Sequence, residues 1–113
     1  MPVGTAALTV NGQDLGKTDA VSCVREGALT TITIGDPNAG TTAVVDNHKG
    51  PVTKSVSIRN LGGFTGSYWK DLEGTADLHT TGATYEVRGE AMGFNADKPS
   101  QRTTGSFVIT VAC

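Results

Sequence analysis

This sequence has few charged residues, no cluster of basic residues and no long apolar run, and these absences exclude particular classes of protein. Charged side chains make up 18% of the 113 residues, and the formal net charge is −2. Since no cluster of lysine and arginine is present to contact phosphate groups, the sequence predicts no nucleic-acid partner. No apolar run approaches the roughly 20 residues that a membrane-spanning helix needs, and no signal peptide is visible.

Recognisable catalytic motifs are also absent. The chain has two histidines, and no Gly-x-Ser-x-Gly turn presents a serine nucleophile. The one short glycine-rich stretch lacks the lysine of a phosphate-binding loop. We therefore predict that the protein is not an enzyme and that it uses no cofactor.

What the chain does have is many short alternating segments separated by glycine-rich turns. Each segment has one apolar face, and none has the period of a long helix. Such strands favour two antiparallel sheets packed face to face. The predicted fold class is an all-β antiparallel β-sandwich of about eight strands, with a small β-barrel as the alternative. Residues 6–113 are predicted to form this single domain, and residues 1–5 to be the end of a tether or residues added for expression.

The last segment of the chain, 104–113, shows the clearest alternation. The buried parity is shared by Phe107, Ile109, Val111 and Cys113. The other cysteine, Cys23, has the inward parity of an earlier predicted strand. We predict a Cys23–Cys113 disulfide, which would contribute roughly 4 to 5 kcal/mol by closing a loop of most of the chain. Such a bond indicates an oxidising compartment; two buried reduced thiols are the alternative.

Two hairpins are predicted around short glycine-containing turns. The Asn-Gly pair at 11–12 lies between alternating residues, which is a strong hairpin signal. Around the Thr-Gly pair at 81–82, side-chain parity requires a connection of two or four residues and excludes one of three. Asp77 is then predicted to lie directly opposite Glu86, with His79 two residues along. Like charges in such a pair repel each other, and a bound cation would relieve the repulsion. A weak candidate for a metal site is therefore formed by Asp77, His79 and Glu86. The alternative is an ordinary solvated sheet face.

Aromatic side chains concentrate in segment 60–69, which the sequence leaves undecided among strand, bulge and loop. Phe64, Tyr68 and Trp69 beside glycines predict a ligand patch if they share one exposed surface. The alternative is that they fill one end of the core. The polar segment 92–102 is predicted to be a long loop before the final strand.

Five segments carry a resemblance to a known family. They are residues 8–14 (LTVNGQD), 21–24 (VSCV), 52–56 (VTKSV) followed by Asn60 and Gly63, 85–89 (YEVRG) and 106–113 (SFVITVAC). In order and spacing they resemble the mycobacterial 19 kDa lipoprotein antigen family. The resemblance extends from about Ala6 to Cys113 and includes both cysteines.

The resemblance implies a cell-envelope lipoprotein, exported and lipid-anchored to the outer face of the cell membrane. Members carry a signal peptide, a lipidated cysteine and a Ser/Thr/Gly-rich tether before the folded domain. None of the three is in this sequence, and Met1 is interpreted as an added initiator. The implied function is that of a surface antigen or interaction module, with a host or envelope protein or lipid as partner. The alternative is a carrier that holds a lipid or glycolipid inside the sandwich, with Phe64, Tyr68 and Trp69 at its mouth.

Overall fold

The computed structural model describes residues 3–36, 38–48, 50, 52–72 and 74–113. Every regular element in this part of the chain is a β-strand, which confirms the all-β prediction. Ten strands form where about eight were predicted. They are β1 (Thr5–Val10), β2 (Gln13–Thr18), β3 (Val21–Glu26), β4 (Leu29–Gly35), β5 (Gly40–Asp46), β6 (Val52–Leu61), β7 (Phe64–Trp69), β8 (Thr75–Thr81), β9 (Thr84–Asn95) and β10 (Lys98–Ala112).

All ten strands pair antiparallel in one continuous sheet. Its order is β2-β1-β10-β9-β7-β6-β5-β4-β3, and β8 is a side branch on β9. The branch exists because β9 is long: residues 84–90 pair with β8, and residues 92–95 pair with β7. One half of the sheet is therefore β8-β9-β10-β1-β2, and the other is β7-β6-β5-β4-β3. The sheet curls until it is nearly closed into a barrel. Both the predicted sandwich and the alternative barrel are therefore close to the observed architecture.

The apolar core lies between the two halves of the sheet. Its members come from both halves and follow the period-two parity of their strands. The largest fully buried apolar side chains are Phe64, Phe107, Ile32, Ile34, Ile58, Val45, Val56, Val87 and Val111. Three threonines are buried with them, and the hydroxyl of Thr41 donates a hydrogen bond to the carbonyl of Ser57 at 2.8 Å.

The disulfide between Cys23 and Cys113 is present, as predicted. It joins β3, at one end of the sheet path, to the residue after β10, which belongs to the other half. The two Cα atoms are 5.9 Å apart and 90 residues apart in sequence. Backbone hydrogen bonds hold the C-terminal end of the chain beside the disulfide. Cys113 N–H donates to the Ala83 carbonyl at 3.0 Å, and Gly4 N–H donates to the Ala112 carbonyl at 2.8 Å.

The first hairpin forms as predicted. Val10 pairs with Gln13, which leaves Asn11 and Gly12 as a two-residue turn. Both turn residues have positive φ, 54° and 78°, as a type I′ turn requires. The Asn11 carboxamide oxygen also accepts a hydrogen bond from Ser106 N–H at 3.1 Å, so the turn is attached to β10.

One segment differs from the sequence-based prediction, and a second segment, which the sequence left undecided, has a defined structure. The predicted loop at 92–102 is instead a hairpin, in which β9 runs to Asn95 and β10 starts at Lys98. The alternation signal fails there because this hairpin has exposed residues on both faces and contributes little to the core. The undecided segment 60–69 is the end of β6, a turn at 62–63 and the whole of β7.

Candidate functional site

The three aromatic residues of segment 60–69 do not share an exposed surface. Phe64 is fully buried and Tyr68 is only 7% exposed, whereas Trp69 is 51% exposed. The even-numbered positions of β7 face the core and Trp69 faces outward, because neighbouring residues of a strand point to opposite sides. Phe64 and Tyr68 are therefore core residues, which was the alternative to a ligand patch. Of the three aromatic residues, Trp69 at the end of β7 is the exposed one.

Phe64 occupies a slot formed by two glycines. A Cβ atom added at Gly66 would lie 2.7 Å from its ring, and one added at Gly105 would lie 2.6 Å from it. Both distances are shorter than real Cβ contacts, so the ring fills the space that side chains at these positions would take. Tyr68 lies on the same side of β7, and its hydroxyl is 3.5 Å from the Thr53 carbonyl oxygen. Burial, with the charges of Asp71 and Asp77, raises the pKa of Tyr68 above its usual 10.0.

The hairpin that carries the acidic candidates is paired two residues along β9 from the predicted register, so each β8 residue keeps its face but has a different partner. Thr81 pairs with Thr84, so the two-residue turn lies at 82–83 rather than at 81–82. Asp77 consequently faces Arg88, and His79 faces Glu86. The predicted opposition of Asp77 and Glu86 is wrong, and the like-charge repulsion that motivated a metal ion does not arise.

The carboxylate of Glu86 instead pairs with the arginine on its own strand face. Arg88 Nε lies 2.6 Å from Glu86 Oε1, and both side chains are solvent-accessible. Among the described residues, no group of three or more histidine, cysteine, aspartate or glutamate side chains is arranged to hold a metal ion. The face around Asp77, His79 and Glu86 is a solvated polar surface.

An open groove of about 570 Å³ is formed by residues of four strands. It lies over β6, β7, the end of β9 and the start of β10, where β9 turns from one half of the sheet to the other. Its charged lining residues are two arginines, Arg59 of β6 and Arg102 of β10. No carboxylate is among the described residues that line it.

Arg59 is held in one orientation by its neighbours. Its Nη1 donates to the Thr42 hydroxyl at 3.0 Å, and its Nη2 lies 3.5 Å from the Asp36 carbonyl oxygen. Gly40 leaves room for this arrangement, since a Cβ there would lie 3.2 Å from Nη2. The Nε of Arg59 is buried without a hydrogen-bond partner in the described structure. The guanidinium thus reaches the groove already oriented.

The loop beside Arg59 is stabilised by a charged cap. The carboxylate of Asp36 accepts hydrogen bonds from the backbone N–H groups of Asn38 at 2.8 Å and Ala39 at 2.9 Å. The hydrogen bond from Ala39, followed by that from Asn38, lowers the pKa of Asp36 below its usual 3.8. Burial opposes this in part, and the positive charge of Arg59 adds a smaller lowering effect. Asp36 therefore remains ionised and holds the loop that carries the carbonyl contacting Arg59.

The rest of the groove combines an apolar wall with hydroxyl groups. Met92 and Phe94 come from β9, and Phe94 is 38% exposed. Met92 is fixed by a contact from the Thr104 hydroxyl to its sulfur at 3.2 Å. Ser57, Thr65, Ser67 and Ser100 supply the hydroxyl groups. Two guanidinium groups, an exposed phenyl ring and several hydroxyls suit an anionic, hydroxyl-rich ligand better than a purely apolar one.

Sequence reasoning missed this groove. Arg59 and Arg102 are far apart along the chain, and neither belongs to a motif. Arg102 also lies in the segment that was predicted to be a loop. Recognising β9 and β10 as one long hairpin would have placed Arg102 near β7, but no local pattern reveals that pairing.

A second groove of about 490 Å³ lies beside the disulfide. It is lined by both cysteines, Arg25 and Tyr85, and by Thr30, whose buried hydroxyl has no hydrogen-bond partner in the described structure. Its lining has one arginine where the first groove has two, and it brings together no group of catalytic residues.

These features define a class of protein: a disulfide-bonded all-β domain with surface grooves. No described helix has the length and apolarity to cross a bilayer. The chain belongs to the family described as the Mycobacterium 19 kDa lipoprotein antigen, whose model matches residues 1–113. This confirms the resemblance noted in the sequence.

Individual relatives are mycobacterial lipoproteins by name. A "Putative lipoprotein" of Mycobacterium avium subsp. hominissuis is 41% identical over 110 residues, which cover 96% of this chain and 76% of the relative. "Lipoprotein LpqH" of Mycobacterium tuberculosis is 30% identical over 107 residues, covering 94% and 67%. "Probable lipoprotein LppE" of the same species is 32% identical over 114 residues, covering 100% and 81%.

Proposed function

We propose that this domain is the non-enzymatic ectodomain of an envelope lipoprotein, displayed on the outer face of the cell membrane as an antigen and interaction module. The observation that carries the proposal is the Cys23–Cys113 bond in a chain of the lipoprotein antigen family. A disulfide that closes most of a small domain persists in an oxidising compartment, which for a bacterial protein means export.

The position of the N-terminal residues supports attachment of the domain to the membrane through the N-terminal end of the chain. Gly4 donates to the Ala112 carbonyl, so the chain enters the domain at the C-terminal end of β10. Arg102 and the large groove lie near the opposite end of the same strand. At about 3.3 Å per residue, the ten residue steps from Arg102 to Ala112 span roughly 30 Å. A domain attached through residues before Gly4 therefore holds its groove away from the attachment point.

The carrier alternative receives less support from the interior. The positions that a bound acyl chain would occupy are filled by buried side chains, including Phe64 and Phe107. Both large grooves that are described open to the surface. A lipid held inside the sandwich would have to displace these rings, at a cost typical of core disruption.

The test is expression of the complete gene product in a mycobacterial host, with metabolic labelling by an alkyne analogue of palmitate. We expect the label on the protein, antibody access to the domain on intact cells, and no reaction of Cys23 and Cys113 with maleimide until a reductant is added. A Cys23→Ser variant is the matched control, because it leaves Cys113 reactive in the same compartment. A product that is unlabelled, inaccessible on intact cells and fully thiol-reactive would refute the proposal.

A further inference from the structure

The large groove has a positively charged lining, whereas the chain as a whole has a formal net charge of −2. The chain has eleven acidic and nine basic side chains, yet the described lining of the groove has two arginines and no carboxylate. In a protein of net negative charge, such a lining attracts anions, because it has positive charges and no described carboxylate to repel them. We propose that the groove binds an acidic polysaccharide, meaning a sugar chain that carries carboxylate or phosphate groups; this rests on the display role proposed above.

Arg59 supplies an oriented donor for the anionic group. Its two terminal nitrogens have four N–H groups, of which Thr42 and the Asp36 carbonyl engage at most two in the described structure. Because those contacts fix the guanidinium before any ligand arrives, little side-chain entropy is lost on binding. Arg102 approaches the same groove from β10 and adds the second positive charge.

The floor of the groove favours a sugar chain over a peptide. A peptide that binds a sheet by strand addition needs an unpaired backbone edge. Here the middle strand, β7, is paired on one side with β6 and on the other with β9. What the floor and rim present instead are the hydroxyl groups of Ser57, Thr65, Ser67 and Ser100. Hydroxyls both donate and accept hydrogen bonds, as the hydroxyls of a sugar do.

The apolar wall and the dimensions fit the same ligand. Phe94 is 38% exposed in the groove, where its ring can pack against the C–H face of a sugar. The volume of about 570 Å³ lies within the range of roughly 300 to 1,000 Å³ that is typical of ligand sites. Because the groove is open rather than enclosed, a chain longer than the groove can lie across it.

The test is calorimetric titration of the 113-residue protein with oligogalacturonate, a carboxylated sugar chain. Dextran fragments of equal length and poly-glutamate serve as the comparison ligands. We expect binding of oligogalacturonate, weaker binding of both others, and affinity that decreases as salt is raised. In Arg102→Gln the affinity should decrease at least about tenfold, the factor that corresponds to one hydrogen bond to a charged group. Phe94→Ala should also weaken binding.

Arg88→Gln is the matched control, since it removes an exposed arginine of β9 that does not line the groove. Its affinity should equal that of the unaltered protein, and melting curves of all variants verify that they are folded. The proposal is overturned if dextran or poly-glutamate binds as tightly as oligogalacturonate, if Arg102→Gln and Arg88→Gln behave alike, or if nothing binds. A lipidated, surface-displayed protein that fails this titration refutes the ligand while leaving the display role intact.

Discussion

Phe64 and Gly105 are complementary across the two halves of the sheet: the ring of Phe64 occupies the volume where a Cβ of Gly105 would lie, at 2.6 Å. This contact joins the middle of β10 to β7 through the core. It shows why a glycine is needed in the interior of the longest strand, where it would otherwise only weaken the strand.

Gly105→Ala is expected to destabilise the protein by about 1 to 3 kcal/mol, the usual cost of overpacking a core. The added methyl group would force the Phe64 ring out of its slot, since the ring is fully buried. Urea denaturation of both proteins measures the difference. Ser106→Ala, at the neighbouring exposed position, is the control and should have little effect; equal stability of Gly105→Ala and the unaltered protein would contradict this account.

Removal of the disulfide in a Cys23→Ala, Cys113→Ala double variant is expected to lower the free energy of unfolding by about 2 to 5 kcal/mol. The bond joins the two halves of the sheet and closes most of the chain into one loop. Thermal melting with and without a reductant checks this. The reductant should lower the melting temperature of the unaltered protein but not that of the double variant, and a shift in both would point to another cause.

Phe64→Ala and Trp69→Ala are expected to differ sharply in stability. Phe64 is fully buried, so its truncation should cost about 3 to 5 kcal/mol. Trp69 is half exposed, and its truncation should cost less than half as much. Chemical denaturation of the two variants separates a core position from a surface position on the same strand. A Trp69 variant as unstable as the Phe64 variant would show that the outward position of Trp69 is wrong.

Asp36→Asn is expected to change the dependence of stability on pH. The folded protein lowers the pKa of Asp36 below 3.8, so the carboxylate stabilises the fold above that pH. This stability is lost as the pH falls through the depressed folded-state pKa. Asparagine still accepts hydrogen bonds from Asn38 and Ala39 but does not titrate. Urea midpoints measured through the acid range should decrease more for the unaltered protein than for the variant, and parallel curves would contradict the role of the charge.

Much of the fold was accessible from local patterns in the sequence. The alternation that places Cys113 on the same strand face as Phe107 predicted both the last strand and the disulfide. The Asn11-Gly12 turn predicted its hairpin. These signals work because β1 and the second half of β10 each bury one face. The pairing of the hairpin at the 82–83 turn differs from the prediction by two residues along β9, because parity fixes which face points inward but does not distinguish between registers two residues apart.

The candidate site was largely inaccessible from sequence. Phe64 and Trp69 differ in parity on β7, so recognising that strand would have separated the core ring from the exposed one. The pairing of β9 with both β7 and β8 depends on the curvature of the whole sheet, which no local pattern encodes. Arg59 and Arg102 come together only through that curvature.

The long strand β10 also determines how the domain would respond to mechanical load. The chain enters beside Ala112, at one end of β10, and the groove with Arg102 lies at the other. A pull on a bound ligand and the counter-pull of an N-terminal attachment would act in opposite directions on β10 and β1. The six residue pairs between these antiparallel strands, from Thr5–Ala112 to Val10–Phe107, would then be sheared together rather than unzipped one by one.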